Sequence, residues 1–403
     1  MKVINGGVCA AQGFSASGIH CGIRKNKSKR DLALIYSEKR AACASVYTTN
    51  KVKGAPLTVT KNNISDGYAQ AVICNSGNAN TCNANGIEIA TKTCELLASE
   101  LNISASDVVV ASTGVIGQPL DINPIKDGIP ALVKALGNNS EEAAEGIMTT
   151  DTRLKQIAVS FEVGGVECKI GGIAKGSGMI HPNMATMLVF ITTDCNISPE
   201  MLQTALSSDI KKTFNMVSVD GDTSTNDMVS VLANGMAGNK EITAQGADFD
   251  AFMAALNTVT VYLCQKIAGD GEGATKLLEC AVSGAYDEEN AKIMAKSVIC
   301  SSLVKAAMFG SDANWGRILC AIGYSGATVD VNKVKVSFKS QKGEIVVCEN
   351  GAGVDFSEEI AKEILLEKEI TINVELGDGK GAATAWGCDL TYDYVKINGD
   401  YRT

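Results

Sequence analysis

The chain has 403 residues, 45% of them hydrophobic, 20% charged and only 6 proline, so it can bury a sizeable core and is not a disordered polymer. Its 36 basic residues stand against 45 acidic ones, a net charge of −9, which argues against a general binder of nucleic acid or anionic membrane. No run approaches the ~20 apolar residues of a membrane span, residues 1–18 lack the apolar core of a signal peptide, and the expected location is the cytoplasm. Length alone predicts two or three domains. The 14 cysteines contain no CxxC pair and read as reduced, buried thiols. With 2 histidines, His-rich metal sites and a His-dependent triad are poor candidates.

In chain order, 71–75 and 108–112 read as short buried strands running into small residues. A helix is predicted over 139–147. A hairpin follows, 156–163 and 166–170, turning at Gly164-Gly165. Residues 187–193 are apolar and β-branched, as a central strand should be. Ser198-Pro199-Glu200 is a helix start with Pro at the first helical position. Phe249, Phe252, Met253, Leu256, Leu263 and Ile267 mark a helix at spacings near 3.6. One helix is predicted over 288–308, stopped near Gly310. After about residue 325 the texture changes. Val329, Val331, Val334, Val336 and Phe338 alternate with polar residues, 344–348 and 370–376 add strands, and a helix fits 357–366. That is a small α+β domain at the C-terminus.

Several segments carry candidate chemistry. The Gly-rich stretches 269–276 and 377–384 fit neither a GxxxxGK[ST] loop nor a GxGxxG strand-to-helix turn. They read as turns, and no nucleotide cofactor or metal is expected. In Lys175-Gly-Ser-Gly-Met-Ile-His-Pro-Asn-Met-Ala185-Thr186-Met-Leu188 a Gly-rich turn feeds a buried strand. Thr186 there has a plain reading as a strand-starting residue. It also has a chemical one. A threonine becomes a nucleophile when its own freed α-amine serves as the base. That requires a cut just before it, and an N-to-O acyl shift across Ala185-Thr186 would make one. Ser112-Thr113-Gly114 closes a strand and can aim donors at a developing oxyanion, or is ordinary turn chemistry. Met148-Thr-Thr-Asp-Thr152 is a dense hydroxyl cluster or a helix-ending loop. Glu272 sits in a tight Gly turn, either solvated or paired with a cationic substrate group. The tail Asn398-Gly-Asp-Tyr-Arg-Thr403 is either frayed or docked through Tyr394, Ile397 and Tyr401.

Taken together and in order, these segments resemble the ornithine acetyltransferase family of arginine biosynthesis, which includes bifunctional glutamate N-acetyltransferases. The resemblance also runs through Gly13-Phe14, Asp31-Leu-Ala-Leu, Asn75-Ser-Gly-Asn-Ala-Asn80 and Ser112-Thr-Gly-Val-Ile-Gly117. It continues in Val219-Asp-Gly-Asp-Thr-Ser-Thr-Asn-Asp227, Gly269-Asp-Gly-Glu-Gly-Ala-Thr-Lys276 and Asn314-Trp-Gly-Arg-Ile318. It spans essentially the whole chain.

It implies an α+β fold, an αββα four-layer sandwich like that of self-processing aminopeptidases. The catalytic sandwich would span 1–285, with a smaller α+β domain over 286–390 and a tail, 391–403, returning to the site. It implies self-cleavage between Ala185 and Thr186 into two chains that stay associated as α2β2. Thr186 would be the nucleophile, with Thr113 and Gly114 as the oxyanion hole. Lys175, Thr186, Glu272, Asn398, Thr403 and one threonine of 149–152, taken as Thr149, would bind substrate. The implied reaction moves acetyl from N-acetylornithine to glutamate. Bifunctional members also use acetyl-CoA as donor, monofunctional ones do not, and no short motif separates the two. A hydrolase using the same Thr186, and a non-enzymatic binding protein, are the rival readings.

Overall fold

The computed structural model describes residues 1–181 and 187–399. The chain opens with β1 (Lys2–Ile4), β2 (Phe14–Ile19) and the long β3 (Leu32–Tyr47). Then come α1 (Ala55–Asn63), β4 (Tyr68–Asn78), α2 (Gly86–Leu101), β5 (Val108–Val115), α3 (Ile122–Lys134) and α4 (Ser140–Ile147). The hairpin β6 (Lys155–Val163) and β7 (Val166–Lys175) leads to β8 (Leu188–Thr193), α5 (Pro199–Asp209), β9 (Val217–Ser218), β10 (Met228–Ala233) and α6 (Ala247–Ala268). The remainder holds β11 (Leu277–Ala285), α7 (Glu288–Cys300), α8 (Ser302–Phe309), α9 (Trp315–Gly323), β12 (Lys335–Ser340), β13 (Gly343–Glu349) and β14 (Ala352–Gly353). It ends with α10 (Glu358–Leu365), β15 (Glu369–Glu375), β16 (Gly381–Cys388) and α11 (Tyr392–Gly399).

Two sheets organise these elements, and the α+β class read from the sequence holds. The first runs β1-β6-β7-β8-β10-β3-β4-β5, with β2 paired to β3; the second runs β14-β13-β12-β15-β11-β16-β9. β8 lies in the middle of the first sheet, antiparallel to β7 and parallel to β10. Its six residues are all buried, which is why they carry no polar alternation. One face of this sheet packs Ile35, Val72 and Phe190 on Ala143 and Ile147 of α4. The other face packs Leu34, Ile73 and Val110 on α2 and α3 at one end. At the other end Val159, Val189 and Val231 meet α5 and α6 in a cluster that continues into the second sheet and α7. The second sheet takes in β9 and β11, both before residue 286. The change of texture in the sequence therefore does not coincide with the change of sheet.

Two expectations need correction. The single helix over 288–308 is two helices. At Ser301 the backbone is extended, φ −69° and ψ 112°, and its hydroxyl accepts from Val304 N to cap α8. A serine at an N-cap starts a new helix rather than continuing the old one. Val329 and Val331 precede β12, and Val331 lies in a short 3₁₀ turn started by Asp330, whose side chain accepts from Asn332 N. The alternation before residue 334 is thus not strand. Most cysteines are buried, and burial pushes the Cys43, Cys74 and Cys94 thiols up to about 12, so they are inert packing groups. Among the described residues no helix is long and apolar enough to cross a membrane.

Candidate active site

The strand ends at one edge of the first sheet are built from small and amide side chains. β5 runs on to Val115, past the turn predicted at Ser112-Thr113-Gly114. Gly77 faces Gly114 in the β4–β5 pair. A Cβ on Gly114 would fall 2.3 Å from the Gly77 carbonyl carbon, and its φ is +131°. Only glycine tolerates both that backbone and that approach. Ser112 Oγ donates to Asn75 Oδ1 at 2.6 Å. Asn226 Nδ2 donates to Ser112 O at 2.9 Å and to Ala79 O at 2.5 Å, while its Oδ1 accepts from Thr81 Oγ1 at 2.6 Å. These amides fix the ends of β4 and β5 against the 223–226 segment.

A buried ion cluster ties three further loops together. Lys155 Nζ lies 2.7 Å from Asp151 Oδ1 and 2.6 Å from Asp270 Oδ2, with the lysine side chain fully buried. Burial alone would raise the Asp151 carboxyl. The charges of Lys155 and Lys175 and the Gly176 N–H outweigh it and hold Asp151 well below the usual carboxylate range. Desolvating such charges is costly unless every lone pair is met. Here most of them are met. Asp151 accepts from Gly176 N at 2.7 Å and Thr149 N at 3.0 Å. Asp270 accepts from Thr152 N at 3.1 Å, Arg153 N at 3.3 Å and the Thr152 hydroxyl. Ser177 Oγ donates to Asp270 O at 2.6 Å, and Glu272 N donates to Ser177 O at 3.0 Å. Loops 148–153, 175–178 and 269–273 are thereby locked in one arrangement.

The lock and the strand ends enclose a cavity of about 280 Å³. Its lining gathers Thr113, Gly114, Thr149, Lys175, Glu272 and Asn398 from five separate segments. Lys175 and Glu272 are each 8% exposed. Gly178 makes room for the carboxylate: a Cβ there would sit 2.4 Å from Glu272 Oε2. Asn398 Nδ2 donates to that oxygen at 2.8 Å. α11, which carries Asn398, is held where Thr391 Oγ1 donates to Gly273 O at 2.7 Å. Ala185, Thr186 and Thr403, also named from the sequence, lie outside the described residues. Among the described residues the cavity holds one cation, one carboxylate, clustered hydroxyls and a glycine strand end, which suits a small ligand bearing both charge signs, with a carbonyl near Thr113 and Gly114.

The sequence model of the ArgJ family matches residues 15–403. The chain belongs to the ArgJ family. It is 51% identical over 405 aligned residues to the arginine biosynthesis bifunctional protein ArgJ of Caldanaerobacter subterraneus subsp. tengcongensis, covering all of both chains. Identity to the protein of the same name from Streptococcus thermophilus is 49%, again over all of both. The crystal structure of the arginine biosynthesis bifunctional protein argJ of Bacillus halodurans matches with a TM-score of 0.50 at 48% identity. That match spans 53% of this chain and 98% of the other.

Sequence reasoning missed part of the cavity wall. Ser224, Thr225, Asn226 and Met179 also line it. The first three belong to the hydroxyl- and amide-rich run before β10, whose density was the available signal. The Asp151–Lys155–Asp270 cluster was missed as well, since Asp270 is 115 residues from Lys155 and nothing local announces that pairing. Of the hydroxyl cluster, Thr149 and Thr150 reach the cavity, while Thr152 is turned to Asp270.

Proposed function

We propose that this chain transfers the acetyl group of N-acetylornithine to glutamate through an acetyl-Thr186 intermediate, releasing ornithine and N-acetylglutamate for arginine biosynthesis. The observation that carries the reading is the convergence of Thr113, Gly114, Thr149, Lys175, Glu272 and Asn398 on one cavity. That these six residues, from five separate segments, share one lining supports the reading that their motifs serve one site.

The steps follow from the chemistry of the lining. Glu272 and Asn398 take the cationic end of the acetylornithine, and Lys175 and Thr149 take its carboxylate end. The Thr186 amine accepts the Thr186 hydroxyl proton, and the oxygen attacks the acetyl carbonyl. The Thr113 hydroxyl and Gly114 N–H stabilise the oxyanion. Ornithine leaves with the proton, glutamate enters, and its α-amine takes the acetyl group by the reverse steps. Thr403 adds to the substrate site from the tail.

A free Thr186 amine requires a cut between Ala185 and Thr186, giving chains 1–185 and 186–403 that assemble as α2β2. The Bacillus halodurans comparison supports the cut, because the matched chain there is about half the length of this one. Acetyl-CoA serves as a second donor in this proposal, consistent with the relatives' description as bifunctional. No resident cofactor is required.

Intact mass under denaturing conditions, with N-terminal sequencing, tests the nucleophile. Two chains, one starting Thr186-Met-Leu-Val, are expected, and Thr186→Ala should give one uncut, inactive chain. Acetylornithine with and without glutamate tests the reaction. Acetate release that ignores glutamate would replace the transferase by a hydrolase. Coenzyme A release from acetyl-CoA and glutamate tests the second donor.

A further inference from the structure

Met179 lines the cavity and has no part in the transfer steps above. Two features set it apart. Its side chain is 43% exposed, while that of the next residue, Ile180, is buried. Its φ is +56°, in the left-handed region that a long side chain rarely adopts. A strained residue of this kind persists only where its surroundings over-determine it. Here they do. Asp220 Oδ2 accepts from Met179 N at 2.6 Å, and Asp220 Oδ1 accepts from Ile180 N at 2.9 Å. Val219 N donates to Ile180 O at 2.7 Å, and Ile180 pairs with Thr223 in an isolated antiparallel bridge. Ile180 is thus anchored in the core, and the turn at residue 179 keeps an apolar side chain at the cavity instead.

The neighbouring residues show what that side chain can meet. Gly178 is packed on the Glu272 carboxylate, where a Cβ would sit 2.4 Å from Oε2. Met179 follows Gly178 directly, so it stands beside the negative group of the cavity. Lys175, the positive group, lies four residues back in the same segment. A ligand that puts a cationic end at Glu272 and a carboxylate end near Lys175 carries a methylene chain between them. Charged and hydroxyl groups give such a chain nothing to pack on, whereas apolar contact removes it from water. Methionine is unbranched and polarisable, and it follows the contour of an apolar chain. Core packing gives no reason to hold an apolar side chain at the surface on strained backbone. Contact with a ligand does.

We infer that Met179 is the apolar wall that packs on the methylene chain of the amino-acid substrate, an inference that rests on the acetylornithine reading above. It contacts the carbons that separate the side-chain ammonium from the acetylated end, while Glu272 and Lys175 hold the charges.

Steady-state kinetics of the purified protein, expressed as the full chain, tests this in wild type, Met179→Ala, Met179→Gln and Met179→Leu. Met179→Gln keeps the length of the side chain and makes it polar. Met179→Ala and Met179→Gln should each raise KM for N-acetylornithine about tenfold, the low end of what a methylene contact contributes in an apolar pocket. Their kcat should stay within about twofold of wild type, as when binding alone is lost. Met179→Leu keeps volume and apolar character and should remain near wild type. Urea midpoints should match in all four proteins, because the side chain is exposed and the backbone strain is common to them. A merely structural role would shift the midpoints, or lower kcat and leave KM alone. The inference is overturned if Met179→Ala and Met179→Gln keep the wild-type KM. It is also overturned if Met179→Leu loses as much as Met179→Ala. Wild type that moves no acetyl from N-acetylornithine would sink the reading beneath it, and this inference with it.

Discussion

Lys155 lies beneath the cavity and Lys276 beneath the second sheet, and both are buried. Lys155 meets two carboxylates, Asp151 and Asp270. Lys276 Nζ donates to three neutral oxygens: Met308 O at 2.5 Å, Leu365 O at 2.7 Å and Ser311 Oγ at 2.8 Å. Two of these are the carbonyls that end α8 and α10, which have no partner within their own helices. Burial lowers the Lys276 pKa, with Asp389 opposing. Under the second sheet a cation satisfies helix ends in an otherwise apolar core. Under the cavity a cation neutralises two carboxylates whose remaining oxygens hold loops in place. The same side chain is structural in one region and organises chemistry in the other.

Substitutions can break that contrast. Lys155→Met should be the most damaging, leaving Asp151 and Asp270 buried without the ammonium that bridges them at a cost of about 3–5 kcal/mol. Urea unfolding would read the loss, and acetyl transfer should vanish with it. A variant that unfolds like wild type would erase the distinction. Gly114→Ala should lower kcat by about 10²–10³ through displaced oxyanion donors, with KM nearly unchanged. Lys276→Met should cost about 1–3 kcal/mol through its three lost hydrogen bonds while the folded fraction keeps its kcat. A fall in kcat there would show that the second sheet is coupled to the site.

His181 sharpens the contrast by pH. Burial, helped by Lys296, lowers its pKa from 6.5 to about 4. The unfolded chain therefore takes the proton first. Stability should fall as pH drops below 6.5, and the loss should be complete below about 4. Melting curves of His181→Gln should lack that component; identical pH dependence would refute it. Asn398→Ala should have the smallest effect, a KM for acetylornithine raised roughly three- to tenfold for one lost hydrogen bond.

Much of the fold was legible because its signals are local. The turn at Gly164-Gly165, the Ser198-Pro199 start of α5 and the continuous apolar run of β8 each state their own structure. β16 is harder to read. Gly381-Ala-Ala-Thr-Ala has small residues throughout and no alternation, and it becomes a strand because β11 and β9 pair with it. The Ser301 break was obscured because both flanking segments are helical and apolar on one face. At the site, Thr113, Lys175 and Glu272 were visible as unusual residues in unusual turns. That they share a cavity with Thr225 and Asn226 was not visible, since strand order decides it.

That strand order has a consequence for a chain cut after Ala185. In the first sheet β8 and β10 come from the later piece, yet they lie between β7 and β3 of the earlier one. The order reads three strands of the first piece, two of the second, then three more of the first, with β2 paired outside that path to β3. Neither product owns the whole of the first sheet. Pulling the pieces apart would tear ladders on both sides of the inserted pair at once, and would open the middle of the core. The two polypeptides are thus threaded as a single folding unit. Subunit exchange between cut molecules should be as slow as global unfolding, and a fragment made alone, 1–185 or 186–403, would have nothing to close its half of the sheet.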